Sequence, residues 1–289
     1  MMLPVIFICL NSYENVSAMM ILRLTNKAFK KLGEKPQPVE VDEVQGSFDE
    51  WYVNTADFFN DGNLFMPVMH ADSLYTMLVP IEKDMETDDF VSKVLANLMY
   101  RMLRLEIPRE HAQRVMQTYG GEAILTKTKS RKTLGTLTRT GGDIRHTAEY
   151  GDGIITGKRV DLGQLESFAN QTPRNLNDGY VWPLEEFYSC IRRFCPELPL
   201  RITLALGSCS WRKHSATMSV FQGRISERLY TKAKAACLDA EVLFDRSETE
   251  ALLKAAHDSH ESSSDIPNDV YATLSQMLSY RLGLLMSES

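Results

Sequence analysis

Cysteine is scarce in this chain, histidine is almost as scarce, and apolar runs are short. The five cysteines among 289 residues, Cys9, Cys190, Cys195, Cys209 and Cys237, form an odd and thinly spread set. That excludes a disulfide framework and points to a reducing, cytoplasmic setting. No apolar run approaches the roughly 18–20 residues of a membrane-spanning helix, so no membrane partner is expected. The six histidines, His70, His111, His146, His214, His257 and His260, are scattered and make no paired-His motif. The chain has no Gly-x-Ser-x-Gly elbow, no phosphate-binding Gly-x-x-x-x-Gly-Lys and no dinucleotide fingerprint. A reaction is therefore not specified, and neither a cofactor nor a metal is called for.

What is present is an ordinary globular composition, 44% hydrophobic and 24% charged, in a chain long enough for two cores. The formal net charge of −6 is mild, so a polyanion is not the default partner. Its distribution is more informative than its sum. Residues 40–89 hold thirteen acidic side chains against Lys83 alone. Between Lys127 and Arg145 the balance reverses, with Lys127, Lys129, Arg131, Lys132, Arg139 and Arg145 opposed by Asp143. A second basic group, Arg212, Lys213, Arg224, Arg228, Lys232 and Lys234, precedes an acidic stretch from Asp239 to Asp269. Solvated helix faces or cations facing the acidic 40–89 region would account for these clusters, and so would a surface for an anionic partner.

Residues 1–19 are read as an extension outside the domain. The apolar run Leu3–Leu10 has no preceding Lys or Arg and contains Pro4, which argues against a secretory signal. The expected first residue of the functional chain is Met19 or Met20. Ile21–Thr25 then reads as a strand, Thr25-Asn26 as a helix cap, and Asn26–Leu32 as a helix ended by Gly33. Three strands are expected at Asp49–Thr55, Leu64–Met69 and Leu74–Ile81. From Thr87, Phe90, Val94, Leu98 and Met102 fall on one helical line. Pro108 opens a second helix, Ile124–Thr128 is a strand, and a basic helix from Ser130 is expected to break at Gly141-Gly142. The glycine-rich Tyr150–Gly163 stretch is the expected boundary between a domain at 20–150 and a mainly helical one at 163–289. The second contributes a helix at Trp182–Phe194, a strand alternating through Leu200, Ile202, Leu204 and Leu206, a long helix from Ile225 to Leu243, and a last helix at Tyr271–Leu285. Between the last two, HDSHESSSD reads as a loop. The fold class is α+β, with a small mixed or antiparallel sheet and packed helices first.

MILRLTNKAFKKLG at Met20–Gly33, WYVN at Trp51–Asn54, SLYTMLVPI at Ser73–Ile81 and TKTKSRKTLGTL at Thr126–Leu137 together resemble a bacterial domain family of unknown function. The resemblance covers about residues 20–146 and rests on the order of the pieces. It implies an α+β domain, a bacterial origin and company with plasmid or mobile-element proteins, and it carries no reaction.

The sharpest chemistry lies in Lys127, Lys129, Arg131, Lys132 and Arg139. Lys127 and Lys129 alternate onto one side of a strand, and the next helix begins beside them with unpaired N–H groups, so an anion site is expected there. Trp51 and Tyr52 are adjacent in a strand, so one is expected in the core and the other at the surface. Cys190-x4-Cys195 with Cys209-x4-His214 raises zinc, but the spacing lacks the two-to-four-residue turn of a zinc knuckle. LGSCSWRKHS, residues 206–215, sets a thiol near a histidine. The reading that fits these signals is a non-catalytic binding or regulatory module whose partner is a protein, with nucleic acid as a second possibility. The alternative is an enzyme acting on nucleic acid or a phosphorylated ligand through Lys127–Arg145.

Overall fold

A computed structural model describes residues 20–34, 50–55, 64–82, 85–119, 123–150, 155–156, 159–176, 179–204, 217–237, 241–262 and 268–287. The N-terminal extension, Cys209, His214 and the 206–215 segment lie outside these residues.

Strand β1 (Met20–Leu24) is buried along its whole length although it contains Arg23, as befits a strand covered on both faces. Thr25 ends it and caps helix α1 (Asn26–Lys31), its Oγ1 accepting from the Ala28 amide at 3.2 Å. Gly33 leaves the helix at φ +72°, a conformation that a residue without Cβ adopts at least cost. Strands β2 (Glu50–Val53), β3 (Leu64–His70), β4 (Thr76–Ile81) and β5 (Ala123–Lys127) complete a five-stranded sheet of order β4-β3-β2-β1-β5. β1 is parallel to both neighbours, whereas β2, β3 and β4 form an antiparallel meander.

Helices cover both faces. On one, Leu22, Trp51, Val68 and Val79 pack against α2 (Thr87–Arg104), α3 (Arg109–Thr118) and α6 (Pro183–Phe194) through Phe90, Leu98, Val115 and Phe187. On the other, Phe65, Leu78, Tyr52 and Met69 meet α4 (Arg131–Tyr150) and α5 (Leu162–Gln171) through Leu137, Ile144 and Leu165. Trp51 and Tyr52 are consequently both buried, 0% and 1% exposed. The expectation that only one of them lies in a core fails because the sheet has two. Two small ribbons, β6 (Ile155–Thr156) with β7 (Arg159–Val160) and β8 (Arg174–Leu176) with β9 (Gly179–Val181), flank α5.

A separate core joins Ile202, Leu204 and Phe221 to helices α7 (Glu227–Cys237), α8 (Arg246–Ser262) and α9 (Asn268–Ser287). Here the expectations need correction. The strand over 200–206 reduces, among the described residues, to one bridge between Ile202 and Phe244. The helix expected to reach Leu243 ends at Cys237, and Leu243 instead enters the sheet's core. Of HDSHESSSD, expected as loop, the described residues His257–Ser262 belong to the C-terminal end of α8. The family-like first half and this helical core meet along Glu241–Phe244, where Leu243 belongs to the former and Phe244 to the latter.

Closure of the β4 edge determines how the layers fit. His70 donates to the Tyr75 carbonyl at 2.9 Å; alternation therefore turns the backbone groups of Thr76, Leu78 and Pro80 away from β3. Side chains of α5 take them up. Asn170 Oδ1 accepts from the Thr76 amide at 2.7 Å while its Nδ2 donates to the Thr76 carbonyl at 2.9 Å. Glu166 Oε1 accepts from the Leu78 amide at 2.6 Å, and Arg101 of α2 pairs with the other oxygen of Glu166. At the third outward position Pro80 has no N–H to satisfy. The second Nδ2 hydrogen of Asn170 reaches Glu241 at 2.6 Å, which also accepts from Tyr75 at 3.1 Å. Burial pushes the Glu241 carboxyl above its ordinary range, against the opposing hydrogen bond from Asn170 and the charge of Arg101.

Helix α4 runs unbroken through Gly141 and Gly142, in place of the expected interruption. Nothing lies within 4 Å of a Cβ built at either glycine, and neither has positive φ. Each glycine therefore costs only conformational entropy. Gly141→Ala and Gly142→Ala should each stabilise the protein by about 0.5–1 kcal/mol, seen as a higher denaturation midpoint. Asn170→Leu should do the opposite. It takes the partner from two buried backbone groups and from Glu241 Oε1, and the expected loss in denaturant titration is about 3 kcal/mol.

Candidate anion-binding surface

The basic cluster lies where the parallel strands end. β5 stops at Lys127, and after Thr128 and Lys129 the chain enters α4, whose first turn is capped by Ser130: its Oγ accepts from the Thr133 amide at 3.1 Å. Ser130 is itself fixed to the sheet, its amide donating to Tyr52 Oη at 3.3 Å. The carboxyl ends of parallel strands, with a helix N-terminus beside them, commonly collect anionic ligands in α/β sheets.

Register places one row of side chains across the sheet beneath this helix start. Arg23 lies opposite both Tyr52 and Thr126. Arg23 is only 5% exposed, and its Nε pairs with Glu50 Oε1 at 2.7 Å while Nη1 donates to the Lys127 carbonyl at 3.4 Å. Lys129 reaches the other Glu50 oxygen at 3.5 Å. Burial pushes the Glu50 carboxyl up, but hydrogen bonds from Arg23 and Tyr52 and the charges of Arg23 and Lys129 outweigh it and leave the pKa below the ordinary 4.5. The same surroundings push the Tyr52 hydroxyl up to about 12, through burial first and then its hydrogen bond to Glu50. Tyr52 is therefore a neutral donor at any physiological pH. Arg23, Glu50 and Tyr52 are a rigid base from which the exposed cations project.

Of the five residues picked from the sequence, Lys127, Lys129, Arg131, Lys132 and Arg139 are all exposed. Lys129 is shared with Glu50, so one member does meet the acidic 40–89 region. Lys127, Arg131 and Arg139 make no ion pair among the described residues. Lys132 and Arg139 are seven residues apart on α4 and so share one line of the helix. Lys127, by contrast, is not alternated with Lys129 along one strand, because the strand has ended between them. Sequence reasoning misses Arg23 and Glu50, although a lone arginine inside the apolar MILRL is a signal of a buried pair.

The remaining candidates divide. Cys190, Cys195 and Cys237 are free and buried, and burial raises the thiol pKa of Cys190 to about 12. Among the described residues no group of His, Cys, Asp and Glu is arranged to hold a metal, and no helix is long and apolar enough to cross a membrane. A cavity of about 390 Å³ lies between the end of α2 and α7, lined by Arg104, Glu106, Arg228, Lys232, Glu241 and neighbours. None of the five basic candidates lines it.

The Glu50 pair gives a pH test. Because folding lowers this carboxyl's pKa, its stabilisation is complete above the ordinary value and is lost as pH falls through the folded one. Glu50→Gln should destabilise the protein by about 2 kcal/mol at pH 7, a figure reduced from that of a fully buried pair because Glu50 is partly solvated. The gap between variant and parent should close as denaturation is repeated toward pH 3.

No curated protein and no solved structure matches the chain. Residues 21–186 match a family described as Domain of unknown function (DUF6933), a span that runs from β1 through the edge-sealing α5 to the first turn of α6. With more than half of its length in that match, the chain belongs to the DUF6933 family.

Proposed function

We propose that this protein is a non-catalytic binding module that holds an acidic protein partner against Lys127, Lys129, Arg131, Lys132 and Arg139. The observation that carries the reading is the contrast between the two layers of charge. Arg23, Glu50 and Tyr52 pair with one another beneath the surface, so they supply rigidity. Lys127, Arg131 and Arg139 are left exposed and without ion pairs among the described residues, at the same end of the sheet. Cations fixed by a rigid strand end and a capped helix favour association with an acidic surface, mainly through the rate of encounter and its salt dependence. An enzyme would want such cations around a concave site with a base or carboxylate beside them. The cavity next to Glu241 is lined by other residues.

Affinity capture from the native cell tests this. The wild-type chain should retain a protein partner after nuclease digestion, with retention falling as salt rises. The triple reversal Lys129→Glu, Arg131→Glu, Lys132→Glu should lower it at least tenfold. Equal capture by both forms would overturn the reading, and capture abolished by nuclease would transfer it to nucleic acid.

A further inference from the structure

The sheet has two edges, and the molecule treats them differently. At β4 every outward amide is dealt with: that of Thr76 by Asn170, that of Leu78 by Glu166, and position 80 by a proline that has none. Unpaired edges are templates for further strands, and sealing of this kind prevents addition.

At β5 the geometry can be worked out from one bond. Thr25 donates to the Val53 carbonyl at 3.0 Å, so the odd-numbered residues of β1 turn their backbone groups to β2 and the even-numbered ones to β5. In the parallel register Leu22↔Leu125 and Arg23↔Thr126, the residues of β5 that bond to β1 are then Ile124 and Thr126. Ala123 and Leu125, with the amide of Lys127, face outward. Among the described residues no strand lies beyond β5. Ala123, Ile124 and Leu125 are partly exposed and Lys127 is exposed. No proline or inward charge interrupts AILTK. The cations Lys127, Lys129, Arg131 and Lys132 follow directly along the chain.

The geometry points to β5 as a docking edge at which an extended acidic segment of the partner adds as a sixth strand, its carboxylates lying against Lys127–Lys132. This inference rests on the binding-module reading and deepens it, since it names the form in which the partner is held. Five residues of strand give about 17 Å of ladder. Main-chain bonds to Ala123 and Leu125 would supply affinity, and the cations would select acidic over neutral segments. Charge is what favours such a segment over a second copy of this chain, whose own β5 edge carries the same cations and would be repelled.

A peptide array tests it on the full chain, with ten-residue peptides that carry Asp or Glu at alternate positions and every residue type between them. Wild type should bind members of this array at least tenfold better than the same peptides with Lys in place of the acids. Binding should protect the Leu125 amide from hydrogen exchange. Leu125→Pro removes the outward amide as Pro80 does in β4 and leaves the ladder to β1 intact; it should weaken binding at least tenfold. N-methylation of alternate peptide amides, which requires no change in the protein, should do the same. An array without binders, or peptides held equally by Leu125→Pro and after N-methylation, would overturn strand addition. Should the triple charge reversal still abolish capture of the cellular partner in that event, the basic surface stands and only its mode of use is wrong. Self-association abolished by Leu125→Pro would also overturn the proposal, by making a second copy the occupant.

Discussion

The side-chain amide of Asn170 is the interaction on which the rest of the structure depends. It faces the Thr76 backbone with both a donor and an acceptor, as a neighbouring strand would, and it spends its remaining hydrogen on Glu241. One residue of α5 thus finishes the sheet, fixes the helix above the second face and anchors the segment that leads to the C-terminal helices. Each group it serves is buried, where an unmade hydrogen bond is costly. Glu166, one turn earlier, accepts from the Leu78 amide and draws in Arg101 from the opposite layer. The sheet edge is therefore the place where α2, α5 and the 241–244 segment are held in register.

A second junction lies at the end of α2. Glu106 occupies the left-handed conformation at φ +57°, with its amide bonded to the Leu103 carbonyl and that of Ile107 to the Met102 carbonyl, both at 3.1 Å. Glycine is the usual occupant of such a helix terminus. The gain that offsets the strain is the placing of a carboxylate among Lys232 at 3.1 Å, Arg228 at 3.5 Å and Arg201 at 3.9 Å. Burial opposes ionisation of Glu106, but these cations prevail and hold its pKa below the ordinary range. Lys232 extends the link to Glu248 at 2.8 Å. The family-matched half and the helical half are thus joined through charge as well as through Leu243 and Phe244.

This arrangement explains what the sequence made legible. Phe90, Val94, Leu98 and Met102 announce α2 because its inward face is a continuous apolar stripe with Arg101 at its margin, and β1 to β5 are visible as short apolar runs. Helix α5 is not visible, because the face it turns inward carries Glu166, Ser167 and Asn170, which serve a strand edge and break the apolar stripe. The helical end of α8 is hidden for a related reason: its buried line includes Ala255, Ala256 and Ser259, residues too small or polar to register as a hydrophobic face. Gly141 and Gly142 read as a break, yet propensity is a weak force beside the packing of Leu137, Ile144 and Ala148 against the sheet. Local signals fail where tertiary partners set the outcome.

The candidate surface follows the same logic. Its cations could be counted from the sequence, since exposed charge needs no partner to be recognised. Their support could not, because Arg23, Glu50 and Lys129 meet only when β1, β2 and the end of β5 are laid side by side. Nor could sequence distinguish the two sheet edges, both short and apolar. The difference between them lies in what the chain brings to each: at β4, Asn170 and Glu166 arrive from α5 with groups that match the backbone. At β5 the next residues turn into α4 and carry positive charge past the end of the strand. A fold that spends a helix's inward polar groups on one edge has the means to seal an edge, and its having sealed that one alone, among the described residues, gives the other its meaning.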